Sequence, residues 1–212
     1  LSLREAIQLA NGNVDSAQVI SIAQTLTDHG PARIYLTHGE LMITDQLTID
    51  GPDGGLLTLD ASRTERLTQS KVGSRVFTID DGDSTTTITV SLSGLVLTGG
   101  DVAEDGGAIL SRENPVITGS TICDNFATRG GGIFSSGPLS LIDSTVSGNT
   151  ASNAGGGICN NYASIIVSGS TIARNSLTQG GGAGIAVFGS KSNVTITNSV
   201  ISDNVVAERY CR

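Results

Sequence analysis

Two consecutive stretches decide the fold: STICDNFATRGGGIFS at residues 120–135 and STVSGNTASNAGGGICN at residues 144–160. Each starts with a short segment in which polar and aliphatic residues alternate, continues to an asparagine, and reaches a glycine cluster followed by isoleucine. Such alternation indicates a strand with one buried face, and glycine clusters between strands indicate turns. The two stretches therefore predict a strand-rich unit that repeats after 24 residues.

The same unit recurs before and after these stretches. An aliphatic residue that closes one strand returns at intervals of 25, 24, 26 and 29 residues, at Leu97, Ile122, Val146, Ile172 and Ile201. Helical repeats are disfavoured, because Gly, Ser, Thr and Asn interrupt every run of good helix formers. We therefore predict an all-β fold, a right-handed parallel β-helix of about five regular coils, with equivalent residues about 4.8 Å apart in adjacent coils.

The chain reads as a single β-helix domain over residues 1–212. Residues 1–80 are expected to form an N-terminal cap and irregular first coils, residues 81–204 the regular repeats, and residues 205–212 a truncated tail. The cap starts with a short amphipathic helix, for which Ser2 is the N-cap, Glu5 completes a capping box, and Asn11-Gly12 is the stop. We expect this helix to cover the first coil, whereas the last coil lacks an equivalent cover.

Composition and charge exclude several functions. The net charge of −8 and the pI near 4.6 argue against nucleic acid as a partner. No apolar run approaches the roughly 18 residues of a membrane span, so this segment is not expected to insert into a membrane. The three cysteines, Cys123, Cys159 and Cys211, fit no zinc spacing, and we expect no cofactor or metal.

A family resemblance follows from the first residues and from the repeats. Leu1–Ile7 resembles the Cys-Ser-Leu-Arg-Glu-Ala-Ile motif near the N-terminus of many large bacterial surface and secreted proteins, with Leu1 in place of the cysteine. The repeats are similar to those of chlamydial polymorphic outer-membrane proteins, whose Gly-Gly-Ala-Ile mark occurs at Gly106–Ile109, although an aliphatic residue replaces the phenylalanine of their Phe-x-x-Asn mark. The resemblance implies an extracellular or cell-surface location and an adhesive role, with glycans or other surface proteins as partners.

The alternative function is a polysaccharide-cleaving enzyme, because right-handed β-helices also include pectate lyases and polygalacturonases. Asn13-Val14-Asp15 and Asp80-Asp81 match two polygalacturonase motifs as strings, but the Gly-His-Gly and Arg-x-Lys motifs are absent, and the histidines, His29 and His38, lie in the cap region. A lyase would need acidic residues around Ca²⁺. The best acidic clusters, Asp80–Asp83 and Asp101–Asp105, fall in turns, so we assign no catalytic residue.

The remaining candidate site is a modest surface patch for glycan contact. Exposed aromatic rings beside polar groups are suited to sugars, and Tyr162 lies close to Asn160, Asn161 and Arg112 in the repeat alignment. The repeated asparagines have a structural interpretation instead. An asparagine at each turn can bond to backbone groups and to its neighbours along the stack, as expected for Asn125, Asn149, Asn175 and Asn204.

Overall fold

The structure, a computed structural model, describes residues 1–13, 17–62, 73–190 and 192–207. These residues form a right-handed parallel β-helix of seven coils, and each strand pairs in parallel with the equivalent strands of the neighbouring coils. The predicted fold class is confirmed. In the described part of the chain, no helix has the length and apolar character needed to cross a membrane.

The strands stack into four sheets, which we number 1 to 4 in the order in which a coil reaches them. Coils 1 to 3 contribute strands to sheets 1, 2 and 4. In chain order these strands are Gln18–Ser21, Ala32–Tyr35 and Leu41–Ile43; Leu47–Asp50, Leu57–Asp60 and Phe77–Ile79; and Thr89–Ser93, Leu95–Thr98 and Ile109–Ser111.

Sheet 3 begins in coil 4, so coils 4 to 6 have four strands each. Those strands are Asn114–Thr118, Thr121–Cys123, Phe126–Arg129 and Ile133–Ser135; Leu139–Ile142, Thr145–Ser147, Thr150–Ala154 and Ile158–Asn161; and Ile165–Ser168, Thr171–Ala173, Ser176–Leu177 and Ile185–Phe188. Coil 7 has the strands Val194–Thr197, Val200–Ser202 and Val205–Val206 in sheets 1 to 3.

The core is a set of aliphatic columns that run along the solenoid axis. Leu97, Ile122, Val146 and Ile172 pair coil by coil and are fully buried, as the sequence spacing predicts. A second column on sheet 4 contains Ile109, Ile133 and Ile158, which are also fully buried. Burial of such a side chain contributes roughly 1.5–3 kcal/mol. The columns explain why the aliphatic residues recur at the period of the coil.

The N-terminal cap is the helix Leu3–Asn11, as predicted. Ser2 and Glu5 form the reciprocal hydrogen bonds of a capping box, and Ile7 and Ala10 are buried beneath the helix. Asn11 fastens the end of the helix to coil 1, because its amide nitrogen donates to the Met42 carbonyl at 2.8 Å. Two short 3₁₀ helices, Gln24–Thr27 and Asp53–Gly55, lie in turns of the first two coils.

Coils 3 to 7 carry the five regular repeats that the sequence spacing predicts, and coils 1 and 2 precede them. Within residues 17–62 and 73–79, the strands of coils 1 and 2 pair in register with one another and with the regular repeats, for example Leu59 with Leu97. The interval between these paired residues is much longer than that of the regular repeats, because more residues separate the strands Leu57–Asp60, Phe77–Ile79 and Thr89–Ser93 from one another. Extra residues in a turn leave strand register intact but hide the period from a sequence comparison. The strand Gln18–Ser21 was not predicted.

Two polar ladders hold the turns on either side of sheet 2. The asparagine ladder is confirmed: the backbone N–H of Asn125 donates to Oδ1 of Asn149 at 3.1 Å, and that of Asn149 to Oδ1 of Asn175 at 3.0 Å. The structure adds a serine ladder, in which the N–H of Ser120 donates to Oγ of Ser144 at 3.1 Å. In both ladders, the side chain of each coil satisfies a backbone group of the coil before it.

Candidate functional site

An open cleft, which we call the Tyr162 cleft, lies along the strand Ile185–Phe188 of sheet 4, at coils 5 and 6. Its volume is about 690 Å³. Arg129, Asn153, Asn161, Tyr162 and Phe188 provide its polar and aromatic lining, and the turn Gly180–Gly182 forms one side. Ligand sites are concave surfaces in which a few polar groups converge on an apolar wall. The cleft has both features.

Two exposed aromatic residues, Tyr162 and Phe188, occupy neighbouring positions in adjacent coils. Asn161 pairs with Phe188, and the backbone N–H of Tyr162 donates to the Phe188 carbonyl at 2.8 Å. Tyr162 has a backbone φ of 63°, which turns the chain at this residue. The residue is 77% exposed. Gly189 permits this arrangement, because a Cβ at that position would lie 2.8 Å from Cδ1 of Tyr162.

The polar groups of the cleft are available to a ligand. Among the described residues, the side-chain amides of Asn153 and Asn161 and the hydroxyl of Tyr162 have no hydrogen-bond partner within the protein. An amide provides both donors and an acceptor, and a phenol provides one of each. Three side chains can therefore exchange water for the hydroxyl groups of a ligand without breaking a bond in the protein.

The charge in the cleft is neutralised locally. Arg129 forms two parallel hydrogen bonds to Asp105, with Nε–Oδ1 at 2.9 Å and Nη2–Oδ2 at 2.5 Å, and its guanidinium lies over the Phe134 ring. The bond to Asp105 raises the pKa of Arg129. Because Asp105 compensates the one charged side chain of the lining, the cleft favours uncharged ligands over polyanions.

Ala154 and Ala186 of the cleft lining belong to a packed apolar cluster that also contains Phe134 and Cys159. Cys159 is fully buried there, and burial raises the pKa of its thiol to about 12. A thiol that stays protonated near neutral pH is a poor nucleophile. Cys159 therefore supports the cleft as a small apolar residue, and it lies on sheet 4, away from Cys123 on sheet 2.

The structure separates the four residues of the predicted patch. Asn161 and Tyr162 do lie together, in the Tyr162 cleft. Asn160 does not belong to the patch: side chains alternate along the strand, so Asn160 points inward, is fully buried and donates to the Gly137 carbonyl at 3.2 Å. Arg112 lies in coil 3, two coils before Tyr162, and forms an ion pair with Asp80 at 2.8 Å.

Three residues of the cleft were missed in the sequence. Phe188 was detectable, because the Gly-Ile marks at Gly157-Ile158 and Gly184-Ile185 align it with Asn161. Arg129 and Asn153 gave no comparable signal. They reach the cleft through sheet 3, whose position beside sheet 4 depends on how the turn is folded.

The acidic loop after coil 2 forms a separate cluster. Carboxylate oxygens of Asp80, Asp81 and Glu113 lie within 4.8 Å of one another. These oxygens bind the loop itself: Glu113 accepts from the backbone N–H of Ile88 at 3.0 Å, and Asp81 accepts from that of Asp83 at 2.7 Å. The pKa of Glu113 is raised, mainly because its carboxyl group is partly buried. The cluster therefore has a structural explanation: its carboxylates accept backbone hydrogen bonds that stabilise the turn between coils 2 and 3.

The other residues of the enzyme alternative do not assemble around this loop. His29 and His38 are exposed residues of coil 1, and His38 Nδ1 lies 2.9 Å from the Thr37 hydroxyl. Of the string Asn13-Val14-Asp15, the last two residues lie outside the described residues, as does Cys211.

Comparisons of the chain with protein-family models, with curated proteins and with solved structures give no match, so its function must be inferred from the fold and the cleft.

Proposed function

We propose that this chain is a non-catalytic β-helical module of the extracellular space or the cell surface, and that its Tyr162 cleft contacts an uncharged glycan. The observation that carries the proposal is the juxtaposition of two exposed rings, Tyr162 and Phe188, with the unpaired amides of Asn153 and Asn161. A sugar ring has an apolar C–H face that packs on an aromatic ring and hydroxyls at its rim that need hydrogen-bond partners.

The rigidity of the cleft also supports a binding role. Asn161 lies in a strand that pairs with both neighbouring coils, and Phe188 lies in a strand that pairs with that of Asn161. Ala154 and Ala186 join the lining to the buried cluster around Phe134 and Cys159. A preformed site loses little conformational entropy when a ligand binds. The small loss of conformational entropy matters most for a ligand that binds weakly, such as a short glycan.

The location rests on the resemblance of Leu1–Ile7 and of the repeats to bacterial surface and secreted proteins. Protease shaving of intact cells that produce the protein tests it: a surface module is released as peptides into the medium. Detection of the protein only after cell lysis would contradict this location.

A glycan array tests the binding role. We expect the wild type to bind neutral glycans. In Tyr162→Asn the affinity should fall about tenfold, because the loss of one ring contact costs about 1.4 kcal/mol of binding free energy. Asparagine is chosen because it tolerates a positive φ. The matched control is Tyr35→Asn, which removes a ring that is 60% exposed in coil 1, outside the cleft.

Two results would contradict the proposal. Equal binding by the wild type, Tyr162→Asn and Phe188→Ala would remove the cleft from the binding role. Unsaturated or reducing ends released from pectate, alginate or other polymers, with or without Ca²⁺, would show an enzyme and overturn the non-catalytic function.

A further inference from the structure

Glu113 is a buried acidic residue outside the Tyr162 cleft. It lies between the strands Ile109–Ser111 and Asn114–Thr118 of coils 3 and 4, at the corner between sheets 4 and 1, and it is 3% exposed. Its backbone N–H donates to Oγ of Ser111 at 3.1 Å, which fixes the residue at this corner. A glutamate is almost never buried to this extent unless an opposite charge is paired with it.

The carboxyl group of Glu113 holds both ends of the turn 80–88. Its Oε2 accepts the backbone N–H of Ile88 at 3.0 Å, and its Oε1 accepts that of Asp81 at 3.5 Å. The turn joins coil 2 to coil 3. One side chain of the following corner thus determines how firmly the whole turn is attached.

The charged groups nearest to the Glu113 carboxyl are mostly negative. Carboxylate oxygens of Asp80 and Asp81 lie within 4.8 Å of those of Glu113. The neighbouring cation, Arg112, is paired with Asp80 at 2.8 Å, and its side chain is 66% exposed. Carboxylates at such short distances oppose one another's ionisation, and burial strengthens the effect.

The other elements around Glu113 add no positive charge. On the next coil, the backbone of Gly137 packs so closely that a Cβ there would lie 2.0 Å from the Glu113 carbonyl oxygen. On the side of coil 1, strand register makes Asp45 the equivalent of Asp81, and in the turn itself Asp83 accepts from the N–H of Thr85 at 2.8 Å. Both carboxylates lie outside the 4.8 Å cluster.

Protonation of Glu113 removes the repulsion and keeps the contact with the turn. The carbonyl oxygen of a carboxylic acid still accepts from the Ile88 N–H, and its hydroxyl can donate to the Asp81 carboxylate. Burial first, and then the charges of Asp81 and Asp80, raise the pKa of Glu113, although the N–H groups of Ile88 and Asp81 act in the opposite direction.

The raised pKa fixes the direction of the pH dependence. The closed turn binds the Glu113 proton more tightly than the open turn does. The resulting stabilisation is complete below the ordinary pKa of 4.5 and is lost as the pH rises through the raised value.

We propose that Glu113 makes the turn 80–88 a pH-sensitive element of the fold, which is held tightly while the Glu113 carboxyl is protonated and loosens when it is ionised. The ionised group faces Asp80 and Asp81 without a cation of its own, because Arg112 is paired with Asp80. This element belongs to coils 2 and 3 and is independent of the Tyr162 cleft in coils 5 and 6.

Amide hydrogen exchange in the folded full chain tests the proposal, with the N–H of Ile88 as the reporter. At each pH the exchange rate is divided into that of an unstructured peptide, which removes the intrinsic pH dependence of exchange. We expect the protection of Ile88 to fall by about threefold or more between pH 4.5 and pH 7.5, because the turn opens more often when Glu113 is ionised.

Two variants assign the effect to Glu113. Glu113→Gln has the shape of the protonated side chain, so Ile88 should keep at pH 7.5 the protection that the wild type has at pH 4.5. The matched control is Asp53→Asn, at an exposed carboxyl in a turn of coil 2, which should show the wild-type fall. Asp81→Asn provides a second test that leaves Glu113 in place: the fall should be smaller, because one facing charge is removed.

Far-UV circular dichroism checks that the variants are folded. Protection of Ile88 that does not change with pH in the wild type, or an equal fall in the wild type and Glu113→Gln, would overturn the proposal. Wild-type protection that rises with pH and loses this rise in EDTA would assign the carboxylates to a bound cation and overturn it as well.

Discussion

The side-chain amide nitrogen of Asn149 lies 3.0 Å from Oδ1 of Asn175 in the next coil, and it also donates to the Ile122 carbonyl at 2.9 Å. Oδ1 of Asn149 in turn accepts both the backbone N–H and the side-chain amide of Asn125. Both side chains are fully buried. One carboxamide thus joins three successive coils where water cannot substitute for it.

Replacement of Asn149 by alanine should lower the free energy of unfolding by about 3 kcal/mol, because buried donors and acceptors lose their partners at about 1–3 kcal/mol each. Urea unfolding measures the change. The matched control is Asn153→Ala, at an exposed asparagine whose replacement should cost less than about 0.5 kcal/mol. Similar losses in the two variants would contradict a stabilising role for the ladder.

Glycine is required at Gly131 by close packing between coils. A Cβ at this position would lie 2.4 Å from the carbonyl oxygens of Gly156 and Thr150. Gly131→Ala should therefore lower the midpoint of unfolding, at a cost of about 1–3 kcal/mol. Gly181→Ala is the control, since a Cβ there meets no atom within 4 Å. If Gly131→Ala were as stable as Gly181→Ala, the coils would not be in such tight contact.

The Arg33–Asp60 pair makes stability depend on pH. Burial raises the pKa of Asp60, but hydrogen bonds from Ser62 and the Arg33 guanidinium outweigh it, so the net pKa lies below the ordinary value of 3.8. A lowered pKa in the folded state stabilises the protein above pH 3.8, and this contribution is lost as the pH falls through the folded-state pKa.

Asp60→Asn should therefore be less stable than the wild type at pH 7 by about 1 kcal/mol, a small value because solvent screens the half-exposed Arg33. The difference should shrink below pH 4 in urea unfolding measured across the pH range. Asp28→Asn, at an exposed residue, is the control and should match the wild type throughout. If the difference in unfolding free energy between Asp60→Asn and the wild type stayed constant with pH, the pH dependence of stability would not come from Asp60.

The two described cysteines should resist alkylation in the folded protein. Burial raises the pKa of Cys159 to about 12, and burial together with the neighbouring Asp124 raises that of Cys123. At pH 8 both thiols remain protonated, and only the thiolate reacts quickly. Peptide mapping after iodoacetamide treatment should show slow modification of both in buffer and fast modification in urea. Fast modification of Cys159 in buffer would mean that the buried cluster around Phe134 and Cys159 opens in the folded protein.

The regular repeats were predictable because their turns have nearly constant length. From Leu97 to Ile201 the interval between inward residues varies little, so the aliphatic columns and the asparagine ladder were visible in the sequence. Residues 1–80 were expected to contain irregular first coils, but the period of coils 1 and 2 was not visible, because the segments between their strands differ in length while the strands keep register. The helix Leu3–Asn11 was predictable from its own capping residues, which act locally.

The sequence by itself determined the fold class, the cap helix and the buried columns of the regular coils, because short periodic patterns encode which side of a strand faces the core. Only the tertiary structure decided the surface. It placed Arg129 and Asn153, which lie on sheet 3, beside Tyr162 and Asn161 at the end of a sheet-4 strand. These features depend on the lateral approach of different sheets and on the stacking of whole coils, and no local sequence pattern specifies either.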